Sequence, residues 1–221
     1  MRKSSLLTRL TAATLVLAAC TGPAAKPAVT DLTAAEITEY QGEDLSSVND
    51  FRENSISGVQ NVSLEGYRLT IDGEVETPLA LTYDEVLAKP AFRKVITLHC
   101  VEGWDATILW EGARIMDLLD QASVKPGAVM VIFHAADGYT SSLPLAYIRD
   151  HDILLAYKMN DILVPAARGF PFVVAAESKW GYKWVKWVTR IELSTDPNYK
   201  GFWEQRGYNN NGDQSGSQLE P

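Results

Sequence analysis

The stretch Val95-Ile96-Thr97-Leu98-His99-Cys100-Val101-Glu102-Gly103-Trp104 carries a thiol to the end of a β-branched run and then breaks into a turn. A thiolate is a soft, polarisable donor suited to a soft metal, and the end of a strand is a rigid place from which to present one. The chain has two cysteines. Cys20 falls in the leader described below, which leaves Cys100 without a disulfide partner. Two uses of such a thiol stay open. It is either an inert core filler, since free cysteine is among the most buried residue types, or a metal ligand. His99, His134 and His151 lack metal-ligand spacing, and no nucleophilic triad is visible.

The elements that must hold Cys100 read mostly as strands. Tyr67 to Val75 alternates apolar and polar residues at period two, with a turn at Asp72-Gly73. Thr82 with Glu85 three positions on predicts a capped helix over Tyr83 to Ala88. Beyond Cys100, Trp104 to Trp110 reads as loop and Gly112 to Asp120 as a short helix. Val129 to Phe133, Ile153 to Met159, Phe170 to Ala176 and Val188 to Leu193 read as strands, with a further short helix after Pro144. Strands outnumber helices, and the expected class is α+β, mainly β, with an irregular mixed sheet in a single domain.

Length and charge bound the rest. With 221 residues, 46% of them apolar, the chain can build one sizeable core. A formal charge of -8 leaves no cationic excess with which to neutralise phosphates, so no nucleic-acid partner is expected. Residues 1–19 combine a basic start with a short apolar run and read as an export signal. Leu17-Ala18-Ala19-Cys20 resembles the bacterial lipobox, which implies lipidation at Cys20, a membrane partner through the lipid anchor, and a place in the bacterial cell envelope facing the periplasm or exterior. Residues 20–43 then read as a tether, 44–208 as the functional domain and 209–221 as a disordered tail with nothing to bury.

Several motifs fall in register with one family. Tyr67-x-Leu69-x-Ile71-x-Gly73-x-Val75, Cys100-Val101-Glu102-x-Trp104, Trp110-x-Gly112, Ser142-Leu143-Pro144, Leu155-Ala156-Tyr157-x-Met159-Asn160, Gly169-Phe170-Pro171 and Lys186-Trp187 follow the order of the molybdopterin-binding domain of the sulfite oxidase family. The resemblance covers about Asn49 to Ser194. It is nearest to the catalytic subunits of bacterial periplasmic methionine sulfoxide reductases, which carry Cys-Val-Glu-x-Trp where sulfite oxidases carry Cys-Ala-Gly-Asn-Arg.

What the resemblance implies is an oxidoreductase with molybdenum on one pyranopterin (molybdopterin) and on the Cys100 thiolate. It makes Tyr139 a candidate proton-passing phenol and gives Asn54 and Asp137 pterin contacts. It assigns the cofactor phosphate to Lys186 with the adjoining Lys183, Trp184 and Val185, and to Arg168; two backbone amides and an ammonium make a natural anion cradle. No haem is expected in this chain, so electrons would come from a membrane haem or quinol-linked donor. Glu102, Gly103 and Trp104 stand where sulfite oxidases have anion-binding arginines, so a small neutral oxide such as a sulfoxide is the expected substrate. Val173 departs from the family, standing where a cofactor-contacting arginine is usual. The alternative reading is therefore a cofactor-free binding lipoprotein of the same fold.

Overall fold

Alternation at period two builds most of the chain. The computed structural model describes residues 35–220. In chain order the elements are β1 (Glu39–Tyr40), β2 (Glu43–Asp44), β3 (Leu69–Gly73), β4 (Leu79–Leu81), α1 (Tyr83–Leu87), β5 (Phe92–His99), β6 (Asp105–Arg114) and α2 (Ile115–Ala122). They continue with β7 (Met130–Ala135), β8 (Thr140–Pro144), α3 (Leu145–Asp150), β9 (Leu154–Met159), β10 (Ile162–Leu163), β11 (Val173–Ala175) and β12 (Val188–Ser194). One sheet runs β10-β9-β6-β5, with β11 also pairing β9, and a second runs β4-β3-β12-β7-β8. In the second sheet β12 lies parallel to β3 and antiparallel to β7. The architecture is thus α+β, mainly β, with a mixed sheet, as expected.

The parallel pair is buried on its inward face. Leu69, Ile71, Ile191 and Leu193 join Ile115, Leu118 and Leu119 of α2 in the core. Each such side chain contributes roughly 1.5–3 kcal/mol by leaving water. Ahead of α1, Thr82 accepts a hydrogen bond from the Glu85 N–H at 3.2 Å, and the Glu85 carboxylate accepts one from the Thr82 N–H at 2.7 Å. This reciprocal cap starts a helix of five residues that propensity alone would not hold.

The stretch from Trp104 to Trp110, expected as loop, is instead the first half of β6. Ala106, Ile108 and Trp110 point inward and are buried, a period-two pattern that Asp105 and Thr107 interrupt with polar residues on the other face. The pairing runs from His99↔Asp105 to Phe92↔Gly112. Gly112 to Arg114 stay in β6 because they pair with β9, so α2 begins later than the apolar spacing suggests. The consequence for function is that Cys100 sits in the tight turn of a long hairpin.

Both ends of the domain need correction. Residues 35–43, expected as part of the tether, are docked. The Glu36 carboxylate accepts from the Val48 N–H at 2.8 Å, and Ile37 N–H donates to the Asn160 carbonyl at 3.1 Å. Residues 209–220, expected to be disordered, are bound to the fold. Trp180 N–H donates to the Gly212 carbonyl at 2.8 Å, Asn209 N–H to the Gln218 carbonyl at 2.9 Å, and Tyr208 bridges to Leu219. Composition misled here because this tail buries few apolar groups; it is held by polar groups on two buried lysines, Asp213 and Asn211 on Lys179 and the Asn210 carbonyl on Lys183. The signal, Cys20 and the rest of the tether lie outside the described residues.

Candidate active site

The β5–β6 hairpin closes around Cys100, whose N–H donates to the Trp104 carbonyl at 2.9 Å while its own carbonyl accepts from the Gly103 N–H at 3.1 Å. Gly103 adopts φ 83°, the left-handed conformation that this turn requires and that glycine adopts without a Cβ penalty. The thiol is almost buried but opens onto a cleft of about 270 Å³. Burial pushes its pKa up. The N–H groups of Glu102 and Val101 and the nearby Arg52 pull it back, while the Glu102 carboxylate adds to the rise. With no metal bound the group is a neutral thiol at neutral pH, and a metal must displace a proton to bind it.

The wall facing the hairpin is a segment before β3. Asn54 Nδ2 donates to Glu102 Oε1 at 3.2 Å, and Phe51 packs edge-on to Trp104 at 5.6 Å. Two cations hold this segment. Arg168 donates to the carbonyls of Val48 and Phe51 at 2.8 and 3.0 Å. Lys186 Nζ donates to Glu53 Oε1 at 3.0 Å and to the Asn54 carbonyl at 2.7 Å, with Trp187 beneath it at 4.3 Å. Burial lowers the pKa of Lys186, and Glu53 opposes that shift. Asp137 Oδ1 accepts the Tyr139 N–H at 2.9 Å, which fixes the turn between β7 and β8. The Tyr139 hydroxyl donates to the Tyr182 carbonyl. Burial holds its pKa well above the ordinary phenol value, so it is a neutral group whose oxygen is left to accept.

Cys100, Asn54, Asp137, Tyr139, Arg168, Trp184 and Lys186 therefore all line one cleft. The donor set fits a soft metal with an anionic arm. A thiol stands on one wall and two cations on another, and Trp110, which also lines the cleft, has its Nε1 buried with no hydrogen-bond partner among the described residues. An orphaned indole N–H costs about 1–3 kcal/mol, and an acceptor on a bound group would relieve it. A phosphate would take the place on Lys186 that Glu53 now fills.

The sequence settles what kind of cleft this is. Residues 56–203 match the family described as the oxidoreductase molybdopterin binding domain. The chain belongs to that family, the one that includes the sulfite oxidases. Its relatives include an uncharacterized oxidoreductase, YuiH, of Bacillus subtilis, 35% identical over 148 residues that cover 66% of this chain and 74% of YuiH. The catalytic subunit of the protein-methionine-sulfoxide reductase MsrP of Campylobacter jejuni is 25% identical over 170 residues, covering 69% of this chain and 57% of that protein. Among solved structures, the sulfane dehydrogenase SoxCD of Paracoccus pantotrophus superposes with a TM-score of 0.61 at 26% identity, over 63% of this chain and 41% of that one. The chain thus spans little more than half of MsrP and less than half of the SoxCD chain.

Within this molybdopterin-binding domain, one expected cofactor contact goes elsewhere. Lys183 does not reach the cleft. Its side chain is fully buried, and Nζ donates to Glu204 Oε1 at 2.7 Å and to the Asn210 carbonyl at 2.9 Å. Only two residues separate it from Lys186, but the 3₁₀ turn over Gly181–Lys183 followed by extended backbone at Trp184 turns the two ammoniums to different sides. Val185, whose backbone amide was expected in the anion cradle, has its side chain in the core and its carbonyl on the Val174 N–H, between the cleft-lining Trp184 and Lys186 in the chain. Val173 does line the cleft, together with Arg168 and Lys186. Trp203 and Tyr208 also line it. Sequence reasoning missed both, although the dense aromatics of Phe202-Trp203 and Tyr208 so near the chain end were a signal.

Proposed function

We propose that this molybdopterin-dependent oxidoreductase reduces a neutral oxide, with a sulfoxide as the substrate class, by oxygen-atom transfer. The observation that carries this reading is the Cys100 turn. Glu102 and Trp104 line the cleft beside the thiol, so an anion such as sulfite meets a carboxylate where a neutral S=O group meets an aromatic face. The similarity to MsrP, whose name assigns it protein methionine sulfoxide, supports the same substrate class. The overall change is R2SO + 2 e⁻ + 2 H⁺ → R2S + H2O, with electrons from a membrane haem or quinol-linked donor.

When bound, the molybdenum pyranopterin supplies the two-electron redox centre and the oxygen acceptor. The chain's own part is to hold it and shape access. Cys100 would ligate the metal, and Lys186 and Arg168 would hold the anionic arm. Trp110 and Asn54 offer hydrogen-bond donors, and the phenol oxygen of Tyr139 is placed to accept. Tyr139 would have to turn from the Tyr182 carbonyl before it could donate a proton.

The test is a dye-linked assay on full-length protein loaded in its native host. Reduced benzyl viologen should be oxidised on adding methyl phenyl sulfoxide, with one mole of sulfide formed per two moles of dye. Molybdenum-replete protein that consumes no dye with any sulfoxide would rule the reading out. Val173, which places no cation where the family has an arginine, favours the cofactor-free alternative. Metal analysis finding no molybdenum in natively exported protein would establish that alternative instead.

The same proposal places the protein on the envelope by a lipid on Cys20. The substitution Cys20→Ser is expected to move it from the membrane pellet to the soluble fraction and to abolish incorporation of labelled palmitate. Retention in the pellet would remove the anchor. Among the described residues no helix is long and apolar enough to cross a membrane.

A further inference from the structure

The segment after β12 lies mostly beyond residue 203, where the family match ends, yet it contributes Trp203 and Tyr208 to the cleft that holds Cys100. We infer that this strap, residues 200–213, is the substrate-selecting wall of the cleft, and that Trp203 and Tyr208 select an oxide bearing an aryl or alkyl group over an inorganic oxyanion. The inference rests on the oxide-reducing reading and adds to it which part of the substrate is recognised, and by what.

Three observations carry it. First, the strap is rigid. Gly201 packs so closely on β8 that a Cβ would stand 2.3 Å from the Thr140 carbonyl oxygen, and Phe202 N–H donates to that oxygen at 2.8 Å. Lys183 holds Glu204 and Asn210, and Lys179, itself buried, holds Asn211 and Asp213. A wall fixed in advance loses little entropy when it closes on a ligand.

Second, its rings lock one another. Tyr208 sits 5.3 Å from Trp203 and 5.0 Å from Tyr182, at 57° and 65°. Both Trp203 and Tyr208 are only half-buried, so ring surface is left for a ligand. Third, the strap sends no cation to the cleft. Arg206 lies over the Phe202 ring at 3.6 Å, and Lys200 pairs with Glu220 at 3.8 Å. The cations that do line the cleft, Arg52, Arg168 and Lys186, come from other segments, and the carboxylates of Glu102 and Asp137 line it with them. Ring faces without positive charge suit a thioether-like or aryl group, for which sulfur–aromatic and ring contacts are favourable, and offer an oxyanion no ion pair.

The experiment is calorimetric titration of the full-length, molybdenum-loaded protein without reductant, using methyl phenyl sulfoxide, dimethyl sulfoxide and sulfate. Wild type is expected to bind methyl phenyl sulfoxide about tenfold more tightly than dimethyl sulfoxide, and sulfate more weakly than either. Trp203→Ala and Tyr208→Ala should each weaken methyl phenyl sulfoxide about five- to tenfold, with Tyr208→Phe restoring it because the ring remains. Molybdenum content and melting temperature report whether each variant is intact. If Trp203→Ala loses its metal, Tyr208→Leu at the half-exposed position decides the matter. No preference in wild type, or a preference untouched by the Tyr208 variants, overturns the inference. A preference that the variants abolish, in protein that oxidises no viologen with any sulfoxide, keeps the wall and discards oxide reduction. Turnover of both sulfoxides with equal KM, unchanged in the variants, does the reverse.

Discussion

Replacing Cys100 with alanine is expected to empty the site of molybdenum and to lower sulfoxide turnover more than a hundredfold, with little change in fold stability. The reasons differ for the two effects. Loss of a group that merely supports a metal ligand typically costs about 10–100-fold, and loss of the ligand itself should exceed that. The stability change is small because alanine keeps the Cβ and the thiol donates no hydrogen bond; removing one nearly buried sulfur should cost about 1 kcal/mol. Molybdenum per chain, turnover and urea unfolding measure the three quantities. An alanine variant that retains stoichiometric metal would show that Cys100 is core filler. A second expectation follows from its environment. Burial and Glu102 raise the thiol pKa in cofactor-free protein, so the thiolate fraction at pH 7 falls below that of a free cysteine. Iodoacetamide labelling should therefore be slow at pH 7 and should accelerate as pH rises through and beyond the ordinary thiol range.

Breaking the Lys183–Glu204 pair should be the largest stability effect in the domain. Both side chains are fully buried, Nζ and Oε1 are 2.7 Å apart, and Ser141 Oγ donates to the same oxygen at 2.6 Å. Lys183→Met strands a carboxylate and Glu204→Ala strands an ammonium, and either is expected to cost about 3–5 kcal/mol. That corresponds to a drop of roughly 10 °C in melting temperature. In the double variant Lys183→Met/Glu204→Ala neither charge is stranded, so the losses should fall short of additivity by about 2 kcal/mol. Strict additivity in chemical denaturation would mean that the two groups do not stabilise each other. Because Glu204 lies between Trp203 and Tyr208 in the chain, the single variants should also loosen the cleft wall and raise KM before the protein unfolds.

Parts of this molecule follow from local pattern. The reciprocal bonds of Thr82 and Glu85, the strands β7, β9 and β12, and α3 after Pro144 appear where spacing puts them, because period and capping act over a few residues. The hairpin carrying Cys100 was half legible. Its first strand is a β-branched run, but Asp105 and Thr107 on the outward face disguised the second, which is recognised only by the strand it pairs with.

By itself the sequence determined the mainly β class, the membership in the molybdopterin-binding family, and a thiol at the end of a strand. Only the tertiary structure decided which cations share its cleft. Lys183 and Lys186 are chemically alike and three residues apart, yet one meets Glu204 inside the protein and the other meets Glu53 on the cleft. The same held for the C-terminal segment. The composition of residues 209–221, poor in apolar residues, predicts disorder, but Asn210, Asn211 and Asp213, together with Glu204 ahead of them, are the partners that Lys179 and Lys183 require once buried. A buried ammonium costs several kcal/mol unless it is paired, and which distant carboxylate or carbonyl pairs with it is set by the packing of the whole chain.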